Sequence, residues 1–423
     1  MTERIHMDGF AAAIFAVESF TDIKAALHGP GGCRSFHSFI AKIYGEKGEQ
    51  GDSDRYDLPY FFKQQRLPCT YIDEFDYING SEGKLRDAIP YICDVDGVFT
   101  VFIKSPGAAL IGDSITDIAA SIGYSDKLMA FEESLISMPF PASYDHVVKG
   151  IAERFVKAGR APEKHRVNLL GLPMVYNDAF VSKRQLTEAL AQMGLEVISC
   201  PGCGCSTEEL AESSRAEFNI AVCPEYCRGT AEFYRSRFGI ETVFSPAGAP
   251  VGFDAYETWV RTIAEFSGAD PGPVLDGLRE RRSRAYRILA GSVISHRMKL
   301  RTFAAYGDAS VICPLVKWLH SYLNMVPASV GFCPGGDRRS EDDLREYLEG
   351  YGLGDVFDRE LDAPVHAVLA DGNTADSMVD TGACSVAVSL CAPAVRRISF
   401  LERPVFGPDS GLYFLDSIYS DMK

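Results

Sequence analysis

Short apolar runs rich in β-branched and aromatic residues recur along this chain, and helical stretches separate them. Most of the runs are bounded by Gly, Pro or Asp, which is typical of strands buried in a parallel sheet. Helical runs such as Val181–Met193 and Asp342–Tyr351 fill the intervals. The sequence therefore predicts an α/β fold built from doubly wound parallel sheets. The predicted strands are Val98–Ile103, Val167–Leu172, Glu196–Ser199, Phe218–Val222, Glu241–Ser245, Leu300–Ala305, Ala328–Phe332, Val365–Ala370, Ser385–Ser389 and Arg397–Phe400.

A chain of 423 residues is too long for one hydrophobic core. Two breaks suggest where it divides, the polar stretch Ala158–His165 and the basic helix Leu278–Tyr286. We therefore predict three Rossmann-like domains, covering residues 1–163, 164–297 and 298–423.

Charge and hydropathy exclude some classes of function. The net charge of −16 argues against nucleic-acid binding through a basic surface. No apolar stretch is long enough to span a bilayer, and the N-terminus lacks the apolar core of a signal peptide. We expect a cytoplasmic protein that is not a membrane protein.

The run from Gly9 to Leu27 is predicted as an apolar helix that leads into the glycine-rich turn His28–Cys33. Glycines allow a backbone to close around a bulky inorganic group. From the residues alone, Cys33 is a nucleophile, a metal ligand or a buried filler. No Gly-Lys-Ser/Thr follows the turn, so it is not a phosphate-binding loop.

The chain has twelve cysteines, and their spacing separates two groups. Scattered cysteines follow no ligand spacing and are interpreted as core residues: Cys69, Cys93, Cys313, Cys384 and Cys391. A second group follows two predicted strands that we expect to be neighbours: Cys200, Cys203, Cys205, Cys223 and Cys227. Five thiols on two neighbouring loops would suffice for an iron–sulfur or zinc site, while the alternative is a set of buried, inert thiols.

Ligands of doubly wound sheets bind beyond the carboxyl ends of the strands. In the third predicted domain these ends are Tyr306–Asp308, Cys333–Asp337 and Asp371–Thr374, and their composition is suggestive of a ligand site.

Five motifs, in order, resemble segments of the nitrogenase component 1 family, and most of all its β-type subunits. His28–Cys33 resembles the His-Gly-x-x-Gly-Cys cluster-ligand motif, and Ile78–Ile89 resembles the family's Lys-Leu-x-x-Ala-Ile segment. Ser105–Ile115 resembles the Ile-Gly-Asp-Asp segment that follows a ligand cysteine. Pro246–Trp259 and Lys299–Asp308 resemble two further segments, so the likeness covers nearly the whole chain.

This resemblance implies three Rossmann-like domains and an iron–sulfur cluster at the interface with a homologous α-type subunit, in an α2β2-like heterotetramer. An ATP-dependent iron protein would supply the electrons. Carried over by position, Cys33 matches a cluster ligand, and Asp8 falls where β-type subunits have a ligand cysteine and protochlorophyllide reductases have an aspartate ligand. Asp8 would alternatively cap the following helix.

Ser105 stands in the place of a further ligand cysteine. Serine is a poor iron ligand unless it is deprotonated, so a [4Fe-4S] cluster with most ligands from the sister subunit is favoured over a larger one. Cys223 matches the strand end where α-type subunits hold their large cofactor, which leaves room for a second metallocluster.

Three functions follow from the resemblance. The chain is a subunit of a nitrogenase-like reductase acting on a tetrapyrrole or another small molecule, a scaffold for metallocofactor assembly, or a subunit that has lost its cluster. The sequence does not identify the substrate.

Overall fold

The computed structural model describes residues 6–35, 67–94, 98–159, 161–292, 298–397 and 400–420. Within these ranges the strands form three sheets, and every strand pairing in them is parallel. The predicted α/β class is therefore confirmed. The strands are β1 (Ile23–His28), β2 (Phe99–Lys104), β3 (Leu128–Phe131), β4 (Glu163–Leu170), β5 (Glu196–Ser199), β6 (Ala216–Ala221), β7 (Thr242–Val243), β8 (Thr302–Gly307), β9 (Val326–Phe332), β10 (Val365–Ala370) and β11 (Cys384–Ser389).

Helices connect the strands throughout the described ranges, and none of them is long and apolar enough to cross a membrane. The α-helices are Gly9–Glu18, Glu74–Asn79, Glu82–Asp94, Ile115–Ser121, Phe140–Phe155, Ala179–Gln192, Thr207–Glu212, Arg228–Phe238, Gly252–Ser267, Gly272–Gly291, Ala309–Leu323, Arg338–Glu349, Gly372–Asp380 and Ser410–Ser420.

The chain divides into two compact units. The N-terminal unit contains Met7–Val156 and the short segment Pro201–Ala211. The larger unit contains His6, Lys157–Cys200 and the described residues from Glu212 onwards. Each predicted domain range contains one sheet, except that β4 begins at Glu163, one residue before the second range. The three domain boundaries remain a prediction.

The N-terminal unit holds the first sheet, in the order β1-β2-β3. The prediction of one continuous helix from Gly9 to Leu27 is wrong, because the helix ends at Glu18 and β1 follows. Both elements are buried along their whole length. With apolar residues on every side, hydrophobic periodicity cannot separate a buried strand from a buried helix.

The larger unit holds the other two sheets. The second sheet has the order β5-β4-β6-β7, so β4 lies between β5 and β6. The prediction that the strands before Cys200 and Cys223 are neighbours is therefore wrong. The third sheet has the order β11-β10-β8-β9, and Val368 and Ala304 in its centre are fully buried. The predicted strand Arg397–Phe400 includes two residues outside the described ranges.

Candidate functional site

The loop that carries Cys33 starts where β1 ends, at the carboxyl edge of the first sheet. β1 and β2 pair in register up to His28 and Lys104, and the amide of Ser105 donates to the carbonyl of His28 over 2.8 Å. A Cβ atom on Gly29 would lie 2.6 Å from Ser105 Oγ, so only glycine allows the two strand ends to approach this closely. Residues 31–35 then form a helical turn that presents Cys33.

His28 holds this loop through a buried chain of hydrogen bonds. Its Nδ1 lies 2.9 Å from Thr70 Oγ1, and its Nε2 lies 3.1 Å from Ser81 Oγ. Ser81 Oγ donates to Asp113 Oδ2 over 2.8 Å. His28, Ser81 and Asp113 belong to three different motifs of the resemblance, so this relay joins those motifs physically.

Burial, together with the nearby ammonium of Lys104, lowers the pKa of His28 to about 4. The imidazole is therefore neutral near pH 7. A neutral ring has one nitrogen that donates and one that accepts, which suits a fixed relay between two hydroxyl groups.

Cys33 is half-buried, whereas the other cysteines of the N-terminal unit are buried. Burial raises the pKa of the Cys33 thiol. Tyr71 packs against the same loop, because a Cβ on Gly31 would lie 2.9 Å from its ring. The thiol is thus accessible on the surface of its unit and is held by a well-packed loop.

The segments next to this loop expose large apolar side chains. Phe75, Ile78 and Leu110 are 70%, 82% and 88% exposed. Tyr77 and Tyr71 are each 41% exposed, and Tyr77 hydrogen-bonds Ser105. Several large apolar side chains exposed on neighbouring segments are typical of an interaction surface.

Asp8 and Ser105, the other predicted ligands near Cys33, have structural partners. Asp8 is the N-cap of the helix Gly9–Glu18, and its Oδ1 accepts from the amide of Ala11 over 2.8 Å. Ser105 is buried, and its Oγ accepts from the amide of Ala108 over 3.3 Å. The burial and hydrogen bond of Ser105 do not favour it as an iron ligand. Asp8 caps the helix through Oδ1 alone, so its Oδ2 atom could still bind iron.

Cys69, interpreted from the sequence as a core residue, is buried but lies against the Cys33 loop. Its Sγ donates to the carbonyl of Gly29 over 3.0 Å, across 40 residues of sequence. No local spacing reveals this contact, because it depends on pairing between distant segments.

The loop that carries Cys200, Cys203 and Cys205 is divided between the two compact units. Cys200 belongs to the larger unit, and Cys203 and Cys205 belong to the N-terminal unit. Cys205 forms a parallel bridge with Phe20, and its carbonyl accepts from the amide of Thr21 over 3.0 Å. All three side chains are buried, so the loop has a clear structural role in its pairing with the chain after the first helix.

Cys223 and Cys227 follow β6 in the larger unit and are buried. Cys227 Sγ lies 3.6 Å from the carbonyl of Cys223. Gly171, at the end of β4, has a φ of 69°, and a Cβ there would lie 2.4 Å from the Cys223 carbonyl and 2.9 Å from Cys227 Sγ. This glycine lets the two loops meet.

A buried polar cluster occupies the carboxyl ends of β6 and β8. Asp308 Oδ2 accepts from the hydroxyls of Tyr176 and Tyr226 over 2.6 and 2.7 Å. Glu225 Oε1 accepts from the amide of Ser310 over 3.0 Å, while its Oε2 is buried without a hydrogen-bond partner. Buried carboxyl groups are costly in free energy, and they are frequent in functional sites.

The pKa values in this cluster shift upward because of burial. Burial and the charge of Asp308 raise the pKa of Glu225 to about 7. Burial also raises the pKa of Asp308 and, with the charges of Glu225 and Asp308, raises the pKa of Cys223 well above its usual range. The cluster can therefore hold protons near neutral pH.

The strand ends of the third sheet add to this cluster. Burial raises the pKa of Asp371, and the charge of His6 partly offsets that rise. Burial also raises the pKa of the Cys391 thiol, and the charges of Asp371 and Asp308 raise it further. Cys333 Sγ lies 3.6 Å from His6 Nδ1. The predicted candidates Asp308, Cys333 and Asp371 are thus brought together. Asp337 instead caps the helix Arg338–Glu349 and accepts from the Ser340 amide over 3.1 Å.

Across the described residues, no group of three or more His, Cys, Asp or Glu side chains is placed to hold one metal ion. This finding does not support a metal site made by Cys200, Cys203, Cys205, Cys223 and Cys227 within this chain. That site remains a prediction. Cys33 fits the role of a single thiolate ligand in a site that other chains complete.

Comparison with known proteins places the chain in a family. Residues 9–423 match the family of nitrogenase component 1 type oxidoreductases, and the chain belongs to it. The predicted resemblance is confirmed. Over its full length the fold also matches a solved structure of nitrogenase Cp1 at pH 6.5, with a TM-score of 0.77, coverage of 99% of this chain and 94% of that one, and 13% sequence identity.

Curated relatives include one of the subunits of light-independent protochlorophyllide reductase. The protein from Halorhodospira halophila is 29% identical over 182 residues, 39% of this chain and 34% of the relative. The protein from Pelodictyon phaeoclathratiforme is 26% identical over 270 residues, 59% of this chain and 48% of the relative. The chain thus spans about a third to a half of the length of these relatives.

Proposed function

We propose that this chain is a β-type subunit of a nitrogenase-like reductase complex, in which Cys33 ligates an iron–sulfur cluster shared with a homologous α-type subunit. The observation that carries the proposal is the half-buried Cys33 thiol on a hydrogen-bonded loop, whose neighbouring segments expose the side chains of Phe75, Ile78 and Leu110. An accessible ligand beside an apolar surface is what an interface cluster requires.

In this proposal an ATP-dependent iron protein delivers electrons to the cluster, and the complex is an α2β2-like heterotetramer. When bound, the cluster supplies single-electron transfer. In this chain, the hydrogen bonds of His28 hold the Cys33 loop in place. The exposed apolar side chains would exclude water from the cluster once the partner subunit covers them. The [4Fe-4S] form is favoured because the chain offers few ligands.

The substrate class we favour is a tetrapyrrole, because the curated relatives are protochlorophyllide reductase subunits. The buried cluster around Asp308 and Glu225 would serve as the proton source that reduction of a carbon–carbon or similar multiple bond requires. Cys223 lies in the same cluster and is the residue proposed for a second metallocluster.

A first experiment tests the cluster. The full chain is co-purified anaerobically with its partner subunits, and iron, sulfide and the EPR spectrum of the reduced sample are measured for the wild type, Cys33→Ala and Cys93→Ala. Cys93 is a matched control because it is a buried cysteine of the hydrophobic core in the same unit. We expect Cys33→Ala to lose most of the iron and Cys93→Ala to keep it. Unchanged iron and EPR in Cys33→Ala would contradict the proposal.

The burial of Ser105 favours a second candidate, a scaffold for metallocofactor assembly, because a cluster with fewer ligands is easier to release. Two measurements on the iron-loaded complex separate these functions. Substrate reduction that depends on ATP and the iron protein supports the reductase, whereas transfer of the intact cluster to an acceptor protein supports the scaffold.

A further inference from the structure

The segment 68–72 extends the first sheet beside the end of β1. Leu27 and Cys69 form a parallel bridge, in which the amide of Leu27 donates to Pro68 over 2.8 Å and the amide of Thr70 donates to Leu27 over 3.1 Å. The amide of Ile72 then donates to the carbonyl of Gly29 over 3.1 Å. Backbone pairing therefore fixes Cys69 alongside the glycine-rich loop that leads to Cys33.

The surroundings of the Cys69 sulfur include groups that stabilise a thiolate. The amide of Tyr71 donates to Sγ over 3.4 Å, and the positive charge of Arg34 acts on the same thiol. Arg34 is itself buried and donates through Nε to the carbonyl of Leu67 over 3.0 Å. An N–H donor and a fixed cation both stabilise a sulfur that has lost its proton.

The sulfur of Cys69 lies against the loop that carries Cys33, because it donates over 3.0 Å to the carbonyl of Gly29, at the start of that loop. Two neighbouring thiolates are stabilised when both bind the same cation, because the metal neutralises their charge.

We propose that Cys69 is a second thiolate ligand, next to Cys33, of the cluster described in the proposed function. It would provide the thiolate that Ser105 does not, since Ser105 is buried and accepts a backbone hydrogen bond. The inference rests on the proposed function, because it assumes a cluster at Cys33.

In ligation by Cys69, iron takes the place of the thiol proton. The Sγ–H bond that now points to the Gly29 carbonyl breaks, its proton goes to solvent, and an Sγ–Fe bond forms without oxidation or reduction of the protein. The Tyr71 amide keeps its hydrogen bond to the sulfur. Among the described residues, no group of three His, Cys, Asp or Glu side chains could hold a metal ion, and the remaining ligands would come from the partner subunit.

The test compares four forms of the full chain, each co-purified anaerobically with its partner subunits: wild type, Cys33→Ala, Cys69→Ala and the control Cys93→Ala. Iron per complex, the EPR spectrum of the reduced cluster and its midpoint potential are measured. We expect Cys69→Ala to lose iron or to shift both the spectrum and the potential, and Cys93→Ala to match the wild type.

A fifth form, Cys69→Ser, tests whether iron loss in Cys69→Ala results from misfolding. Its hydroxyl can still donate to Gly29 and accept from Tyr71, so the fold is kept, and the melting temperature checks this. A serine oxygen is a harder ligand than sulfur, so we expect a changed EPR spectrum and a shifted potential.

The outcomes separate the two proposals. Iron loss in Cys33→Ala together with wild-type iron, spectrum and potential in both Cys69 variants would overturn the role of Cys69 and leave the proposed function standing. Unchanged iron in Cys33→Ala would overturn the proposed function itself.

Discussion

Two regions of this chain hold reactive side chains in opposite environments. In the N-terminal unit, Cys33 is half-buried on a loop, and the neighbouring segments expose large apolar side chains. In the larger unit, Asp308, Glu225 and Cys223 are buried, and their neighbours are other protein groups rather than solvent. Under the proposed function another chain completes the first region, whereas most polar groups of the second region have their hydrogen-bond partners within their own unit.

This contrast predicts opposite consequences of substitution. A change in the buried region should weaken the fold, because buried polar groups lose their partners. A change in the exposed region should alter iron binding and leave the fold almost intact. The following substitutions test that contrast.

Asp308→Ala is expected to have the largest effect on stability. It leaves the hydroxyls of Tyr176 and Tyr226 buried without their acceptor, which should lower the free energy of unfolding by about 3 kcal/mol. Urea denaturation of the iron-free chain measures this. Tyr226→Phe is the control and should cost about 1 kcal/mol, since Asp308 keeps Tyr176. Equal stability of Asp308→Ala and wild type would show that the buried region is not held by this carboxylate.

His28 should make the stability of the N-terminal unit depend on pH. Its pKa is about 4 in the folded chain and 6.5 in the unfolded one, so below pH 6.5 the unfolded state binds more protons. Stability is full above pH 6.5 and should fall by about 3 kcal/mol as the pH drops towards 4.

The matched variant for this prediction is His28→Gln, which cannot titrate but can still bond Thr70 and Ser81. The difference in unfolding free energy between wild type and variant, measured from pH 7 to pH 4, isolates the contribution of His28. A difference that stays constant over this range would contradict the assigned neutral relay.

Gly29→Ala tests the close approach of the two strand ends. The new Cβ would lie 2.6 Å from Ser105 Oγ and 2.7 Å from Ser105 Cβ, so the loop must shift. Overpacking of this kind costs about 1–3 kcal/mol, and we expect iron binding to fall with it. Thermal denaturation and iron content measure both effects. Gly83→Ala is the control, because a Cβ there meets no atom within 4 Å.

Cys33→Ala in the iron-free chain should have the smallest effect on stability, within about 0.5 kcal/mol of wild type, as for other exposed substitutions. Equilibrium unfolding in urea provides the measurement. A loss as large as that of Asp308→Ala would show that Cys33 is a packing residue, and the contrast between the two regions would disappear.

Much of the fold is predictable because buried parallel strands have a strong local signature. The predicted strands Val365–Ala370 and Glu196–Ser199 have the same bounds in the structure. β1 escapes prediction because it follows a buried helix after a short turn, and periodicity carries little information in elements that are buried on all sides. β3 is also missed, although it is as long as the correctly predicted β5.

The candidate site is only partly predictable. The Cys33 loop follows from its motif, and Asp308, Cys333 and Asp371 follow from the rule that ligands bind at the carboxyl ends of strands. The contact between Cys69 and Gly29 depends on pairing across 40 residues of sequence, which no local pattern encodes. The order of β5, β4 and β6 is likewise a property of topology, so the neighbours of Cys200 cannot be inferred from spacing.

The parallel bridge between Leu27 and Cys69 has a consequence for protein engineering. Main-chain bonds of Pro68, Thr70 and Ile72 set the place of the Cα atom of residue 69, and none of these bonds involves its side chain. A small substitution at position 69, such as Cys69→Ser, therefore changes the group that faces the Gly29 carbonyl while these main-chain bonds stay in place. Under the proposal for Cys69, such a variant would change one ligand of the cluster and leave the rest of its surroundings unaltered.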